Sequence, residues 1–296
     1  MDLQSLNIFI QVAEMNSFTK AGEKLGYSQP TVSFQIKQLE KELGAKLFDR
    51  IGHTVSLTEE GKDALQYAQN ICHMSEEMLL GADGRKEVSG LIRVALPDSL
   101  CGSLVINEFA RFRKEYPNLN LKVMTAGTDE LFRLLDHNEV DIVCTLDKHI
   151  YDRAYVIANE EKIDVHFVVS ARNTLAERES VTIEELIKEP FVLTEKGMSY
   201  RGLLDEFMAR NSMEIHPVLE MGNTDLICQV VEEDAGISFL PDYATEEAVQ
   251  RGAVKRLQVA GFDMELWKQI LYRRDKWVSR QMKAIIKHMS EIHLGE

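Results

Sequence analysis

The 296-residue chain holds little from which a disulfide framework or a metal centre could be built. Its four cysteines, Cys72, Cys101, Cys144 and Cys228, lie far apart with no C-x-x-C pair, which argues for reduced, mostly buried thiols. No metal or other cofactor is expected. No run approaches the ~18 apolar residues of a membrane span. The opening MDLQSLNIFI has neither a basic region nor a small-residue cleavage site. The expectation is therefore a cytoplasmic protein without membrane contact. Catalytic signatures are missing too: there is no G-x-S-x-G, H-E-x-x-H, G-x-x-x-x-G-K-[ST] or G-x-G-x-x-G. The eight histidines are scattered, and His149 in LDKHI reads as a surface side chain. An enzyme is not expected.

What is present is an ordinary globular composition, 45% apolar and 28% charged, at a length that suits two or three domains. The net charge of −14 argues against nucleic acid only if it is spread evenly. It is not. Between Lys20 and Ser56, six bases (Lys20, Lys24, Lys37, Lys41, Lys46, Arg50) face four acids (Glu23, Glu40, Glu42, Asp49), so this stretch is locally positive.

That stretch contains SQPTVSFQIKQLEKELG, Ser28 to Gly44. At 100° per residue Val32, Ile36, Leu39 and Leu43 form a core-facing stripe, and Pro30, Phe34, Lys37 and Lys41 fall opposite. Pro30 suits a first turn and Gly44 a stop. A helix is also expected over about Gln4–Ala13, and a second from an N-cap at Ser17 to Leu25, closed by Gly26. The short GYSQP connection makes this a helix-turn-helix. Extended stretches on either side of Gly52 then read as a hairpin, or wing. Thr58 is expected to cap a further helix in which Leu65, Cys72 and Leu79 repeat every seven residues, flanked by Ala64, Ala68, Ile71 and Met78. The repeat predicts a dimer interface of Leu65, Ala68, Cys72 and Leu79, or else packing on the chain itself. GADGRKE, Gly81 to Glu87, reads as a linker.

Beyond it the pattern becomes β–α alternation: LIRVAL, LNLKVMTA, VDIVCTL, VHFVVS, FVLT and ISFLP are short apolar runs, implying mostly parallel strands in an α/β fold. Gly127–Val143 and Asn223–Phe239 repeat one plan, Thr-Asp opening a helix that leads to a strand, which suggests two related lobes. Ligands of such sheets gather at strand C-termini, where helix N-termini present free N–H groups. Ser99, Thr128 and Thr224 are the candidates there. Cys101 stands near the same place and reads as a structural thiol.

FIQVAEMNSFTKAGEKLGYSQPTVSFQIKQLEKELGAKLFDRIGHTVSLTEEG resembles the winged helix-turn-helix of the LysR-type transcriptional regulators, with Ser-Phe-Thr, Ser-Gln-Pro, QLE.ELG, LF.R and LT..G in order. FRKEYPNLNL, VDIVCTL and DAGISFLP resemble that family's effector domain, a two-lobed fold like the periplasmic binding proteins. The resemblance implies residues 1–57 as the DNA-binding domain, 58–86 as linker helix and hinge, and 87–296 as effector domain. Lobe I would span 87–162 and 268–296, and lobe II 163–267. It also implies a homodimer, usually paired into a homotetramer, on double-stranded DNA at an interrupted palindrome. A small-molecule effector and RNA polymerase would be its further partners.

On that basis Thr19, Gln29, Thr31, Ser33, Phe34, Lys37, Arg50, His53 and Thr54 are expected to contact DNA. Asp98, Ser99, Thr128, Thr145, Thr194, Arg201, Asn223 and Thr224 are expected at the effector. Two departures stand out: Phe34 where the family often has arginine, and His53 where the wing often has a second base. Phe34 either meets a thymine methyl or packs on the wing. TEKGMSYRG lacks the paired cysteines of the family's peroxide sensors, so redox sensing is not expected. A solute-binding receptor with the same two-lobed domain is the alternative function.

Overall fold

Three side chains open the first three helices by accepting backbone N–H groups: Asp2 from Ser5 at 2.7 Å, Ser17 from Lys20 at 3.3 Å, Ser28 from Thr31 at 3.3 Å. The helices are α1 (Leu3–Met15), α2 (Phe18–Leu25) and α3 (Gln29–Leu43), closed by the left-handed residues Asn16, Gly26 and Gly44. Between α2 and α3 the chain folds back so tightly that a β-carbon at Gly22 would stand 2.7 Å from the Tyr27 carbonyl oxygen. Tyr27 N–H in turn donates to the Gly22 carbonyl at 2.8 Å. The structure, a computed structural model, describes residues 1–51, 54–82, 88–106 and 108–294. It divides into two units, Met1–Lys86 and Glu87–Glu296.

In the first unit Leu6, Phe9, Val12, Phe18, Val32, Ile36, Leu39, Leu47 and Phe48 share one core, with Phe48 edge-on to Phe9 and Phe18 at 5.5 and 5.6 Å. β1 (Phe48–Ile51) pairs antiparallel with β2 (Thr54–Leu57), the expected wing; its turn, Gly52 and His53, lies outside the described residues. Leu43 departs from expectation. It is 45% exposed, because the last turn of α3 runs past the core that Leu39 closes. α4 (Glu59–Ala82) begins where the Thr58 hydroxyl donates to the Lys46 carbonyl at 2.5 Å and accepts the Gly61 N–H at 2.9 Å.

In the second unit, lobe I comprises β3 (Ser89–Leu96), α5 (Asp98–Cys101) with a π-helical turn (Gly102–Ile106), α6 (Phe109–Glu115), β4 (Asn118–Thr125), α7 (Thr128–Asp136), β5 (Ile142–Asp147) and β6 (Tyr155–Ile163). Lobe II follows: β7 (Val165–Ser170), β8 (Val181–Thr182), α8 (Ile183–Leu186), β9 (Phe191–Leu193), α9 (Ser199–Arg210), β10 (Pro217–Glu220), α10 (Thr224–Glu232), β11 (Ser238–Pro241), α11 (Asp242–Gln250), β12 (Val254–Leu257) and β13 (Val259–Ala260). The chain then returns to lobe I through β14 (Leu266–Arg273) and α12 (Arg280–Ser290).

Parallel and antiparallel pairing occur together, which corrects the expectation of mostly parallel strands, although β9 with β10 and β8 with β13 are parallel. The lobe I sheet runs β4-β3-β5-β14-β6; β3 is parallel to β4 and β5, but β14 is antiparallel to β5 and β6. In lobe II, β7 is antiparallel to both β11 and β12. The reason is connectivity: β6 leads almost directly into β7, and β14 brings the chain back, so β7 and β14 run against the β–α strands beside them. β6 went unread in the sequence because, at the sheet's edge, its exposed Ala158, Glu160 and Lys162 alternate with half-buried positions. Lys268 on β14 is buried, donating to the Ile292 carbonyl at 2.6 Å and paired with Glu161 of β6.

The start of α4 depends on a glycine. A β-carbon at Gly61 would stand 2.1 Å from the Leu47 carbonyl oxygen, whereas one at Gly102 would meet nothing within 4 Å. Gly61→Ala should therefore lower stability by about 1–3 kcal/mol through overpacking, read as a lower urea midpoint of the helical circular dichroism signal. Gly102→Ala should leave that midpoint near the wild-type value. Equal midpoints for the two variants would mean that α4 does not approach Leu47 this closely.

Candidate DNA-binding face and interlobe cleft

Because Val32, Ile36 and Leu39 are each at most 1% exposed, the opposite face of α3 is turned to solvent. Phe34 is 65% exposed and joins none of the apolar clusters. Among the described residues no core receives its ring. Gln29, Thr31 and Lys37 are exposed on the same helix, Ser33 is half-buried, and Thr19 is exposed at the start of α2. The Thr31 hydroxyl lies 2.8 Å from that of Ser28, so it is partly committed to the cap. Arg50 and Thr54 occupy ribbon positions opposite Val55 and Ile51. Their side chains, like the whole of His53, lie outside the described residues.

The expected dimer residues are corrected. Ala68 is 2% exposed, and Leu65 and Cys72 pack on the same core beside α1, with Cys72 Sγ 4.0 Å from the Leu3 carbonyl oxygen. Ala68 is thereby closed to a partner, and Leu65 and Cys72 are half-buried against their own core. The side chain of Leu79 lies outside the described residues. The stripe left in water is Tyr67, Ile71, Met74 and Met78, at 68%, 39%, 47% and 71% exposure. With Leu43, Ala64 and Leu47, its first two members line a groove of about 300 Å³. Its 4-3-4 spacing was as regular in the sequence as the one chosen; only the position of α1 separates them.

In the second unit, strand ends of both lobes converge. Asp98 and Ser99 follow β3, Thr128 opens α7 behind its N-cap Gly127, and Thr145 lies fully buried on β5 beside Gln269 of β14. Lobe II contributes Thr194, Ser199 and Tyr200, Thr224, and Tyr243. The approach is close: a β-carbon at Gly127 would stand 2.8 Å from the Gly197 carbonyl oxygen, which accepts the Thr128 N–H at 3.4 Å. Tyr200 and Thr224 hydroxyls are 3.3 Å apart, and the Tyr243 hydroxyl faces Ser99.

The hydroxyls of Thr128, Thr145, Thr194, Ser199 and Tyr243, with Nε2 of Gln269, are buried without a well-formed hydrogen bond among the described residues. Groups so placed cost about 1–3 kcal/mol each unless a guest satisfies them. Burial pushes the Tyr200 hydroxyl up to about 12 and that of Tyr243 well above its ordinary value, so both remain neutral donors.

Two expected effector contacts are corrected. Arg201 is 1% exposed, and its guanidinium donates to Asp205 and Glu220, both at 2.9 Å, and to the Thr194 carbonyl at 2.6 Å. It is a neutralised structural cation, with only Nη2 left over. Asn223 is exposed and caps α10, accepting the Leu226 N–H at 2.9 Å. Thr224, behind that cap, is 3% exposed and shares its hydroxyl with Tyr200. Burial, then Asp98, pushes the Cys101 thiol up, the reverse of a reactive thiolate. Ser199, Tyr200, Tyr243 and Gln269 escaped the sequence reading. A signal for Tyr243 existed: Leu96-Pro97-Asp98-Ser99 and Leu240-Pro241-Asp242-Tyr243 repeat one strand-to-helix junction, and their fourth residues face each other.

Comparison with known proteins accounts for both units. Residues 3–62 match the model described as bacterial regulatory helix-turn-helix protein, lysR family, and residues 85–292 match the LysR substrate binding domain. The uncharacterized HTH-type transcriptional regulator YwqM of Bacillus subtilis is 30% identical, over 97% of each chain. The RuBisCO operon transcriptional regulator of Allochromatium vinosum is also 30% identical, over 94% of this chain and 92% of that protein. A full-length OxyR variant from Pseudomonas aeruginosa shares the fold at a TM-score of 0.77 and 19% identity, covering 100% of this chain and 96% of its own.

Proposed function

Because the chain belongs to the LysR family of transcriptional regulators, we propose that it binds an interrupted palindromic promoter site as a homodimer or homotetramer and responds to a small carboxylate-bearing effector. It is a DNA-binding regulator with an effector-binding domain, and its relatives are regulators rather than enzymes. The proposal includes action in the cytoplasm, with RNA polymerase as a further partner. No described helix is long and apolar enough to cross a membrane. The observation that carries the reading is the α3 face, where an exposed phenylalanine and Lys37 stand beside Gln29 at the helix start.

On this reading Gln29 and Phe34 reach base edges, Phe34 against a thymine methyl, while Thr19, Thr31, Ser33, Lys37, Arg50, His53 and Thr54 hold the backbone and set register. For the effector, Ser99, Thr128, Thr145, Thr194 and Ser199 supply hydroxyls, and the first turn of α7 supplies N–H groups that favour a carboxylate. With Arg201 already neutralised and Asp98 at the cleft, a ligand bearing both an amine and a carboxylate suits the lining better than a dianion. The dimer surface is the Tyr67, Ile71, Met74 and Met78 stripe, an apolar seam of coiled-coil spacing left unburied by its own chain.

On a palindromic promoter fragment, Phe34→Ala should cost about 1–3 kcal/mol concentrated at one thymine-bearing position, whereas Arg50→Ala should weaken all sequences alike and reduce the salt slope by about 1. Uniform loss from Phe34→Ala would remove its base-reading role. Binding without steep salt dependence would favour a solute receptor instead. Tyr67→Glu combined with Met74→Glu should give monomers by light scattering. A dimer that survives both changes places the seam elsewhere. In a thermal-shift screen an amino acid derivative at 100 times its dissociation constant should stabilise by about 2.7 kcal/mol. If only dicarboxylates act, and Thr128→Val leaves their effect intact, both the zwitterion and this cleft are wrong.

A further inference from the structure

Lobe I carries a second cavity, of about 670 Å³, that shares no lining residue with the interlobe cleft. Its walls are aromatic. Phe132 on α7 and Tyr155 at the start of β6 lie with ring centroids 5.2 Å apart, and across the rim formed by the 148–154 segment His149 packs, tilted by 40°, against Tyr151 at 4.5 Å. Tyr151 is 86% exposed, a large ring held in water with no core to join. Trp267 braces His149 edge-on at 5.7 Å, and Glu160 fixes the His149 Nε2 at 2.8 Å, so the platform under Tyr151 is held from two sides.

The charges that line this cavity are of one uncommitted sign. Lys148 is drawn 3.8 Å from Glu206 of α9, and Glu265 is paired with Lys162 at 3.3 Å. Asp147 and Asp152, in contrast, accept only backbone N–H groups, from Lys148 at 2.7 Å and Ala154 at 2.8 Å, with no ion pair among the described residues. Burial pushes the Asp147 carboxyl up against the pull of the Lys148 N–H and ammonium, with Asp129 and Glu206 adding repulsion. A half-buried carboxylate beside several ring faces is short of a positive charge, and ring faces attract cations through their quadrupole.

We propose that this cavity is a second ligand site, selective for an organic cation that carries an aromatic or apolar group. The ammonium lies against Tyr151 and the carboxylates of Asp147 and Asp152, and the apolar part lies on Phe132 and Ile150. An anion is excluded by the same carboxylates. A neutral analogue keeps the apolar contacts and loses the rest.

Benzyltrimethylammonium is the probe, titrated calorimetrically into the full-length protein, with benzyl alcohol and benzoate as its neutral and anionic counterparts. Saturable binding of one cation per chain is expected, with both counterparts at least about tenfold weaker. Tyr151→Ala should raise the dissociation constant roughly five- to thirty-fold, the effect of losing one cation–π contact, and Tyr151→Phe should keep it within about twofold. Asp147→Asn should also weaken the cation while sparing benzyl alcohol. The proposal is overturned by any of three results: no saturable binding up to about 10 mM, benzoate binding as tightly as the cation, or a dissociation constant unmoved by both Tyr151→Ala and Asp147→Asn.

Discussion

A helix buries one stripe of side chains, and in the N-terminal unit nearly everything presented to solvent follows from which stripe that is. Phe9, Phe18 and Phe48 set the shape of the core. α3 answers with Val32, Ile36 and Leu39, and α4 with Ala68 and its neighbours. Once those are inside, Phe34 has to be outside on α3, and Tyr67, Ile71, Met74 and Met78 on α4. The apolar side chains in water are thus a by-product of a well-filled core, placed where a partner is needed to cover them.

Electrostatics divides along the same line. The chain carries −14 overall, yet the open face of α3 shows Lys37 and Lys41. In the effector-binding unit the buried cations are already matched: Arg201 by Asp205 and Glu220, Lys268 by Glu161. What remains unmatched between the lobes is neutral, a set of hydroxyls and one amide, and what remains unmatched at the lobe I cavity is anionic. The two places therefore offer different chemistry on one domain. The fold is shared with OxyR at a TM-score of 0.77 and 19% identity, a likeness of architecture alone.

Much of this was legible in one dimension. Ser17, Ser28, Gly26 and Gly44 act locally, through hydrogen bonds to residues three positions away or through a left-handed φ, so the helix-turn-helix could be read directly. The Thr-Asp repeat likewise marked the two helix starts, Thr128 and Thr224, because a strand end followed by a helix is a local junction. The antiparallel crossing strands were not legible. Edge strand β6 has too few apolar residues to stand out, and β14, the antiparallel strand between β5 and β6, arrives only at Leu266, after the whole of lobe II.

The sequence by itself determined the family, the two-unit plan, the outward face of α3 and the cap-and-stop grammar of the helices, because each depends on periodicity or on neighbours within one turn. Only the tertiary structure decided the rest. Leu65, Ala68 and Cys72 turned inward because α1 lies on that side of α4, a fact no heptad contains. Arg201 on α9 was removed from the expected effector contacts by Glu220, at the end of β10. Tyr243 came to face Ser99 because two lobes, joined by crossing strands, close on each other. In all three cases the deciding neighbour is distant in sequence, and which of several equally regular side chains it meets is fixed by packing alone.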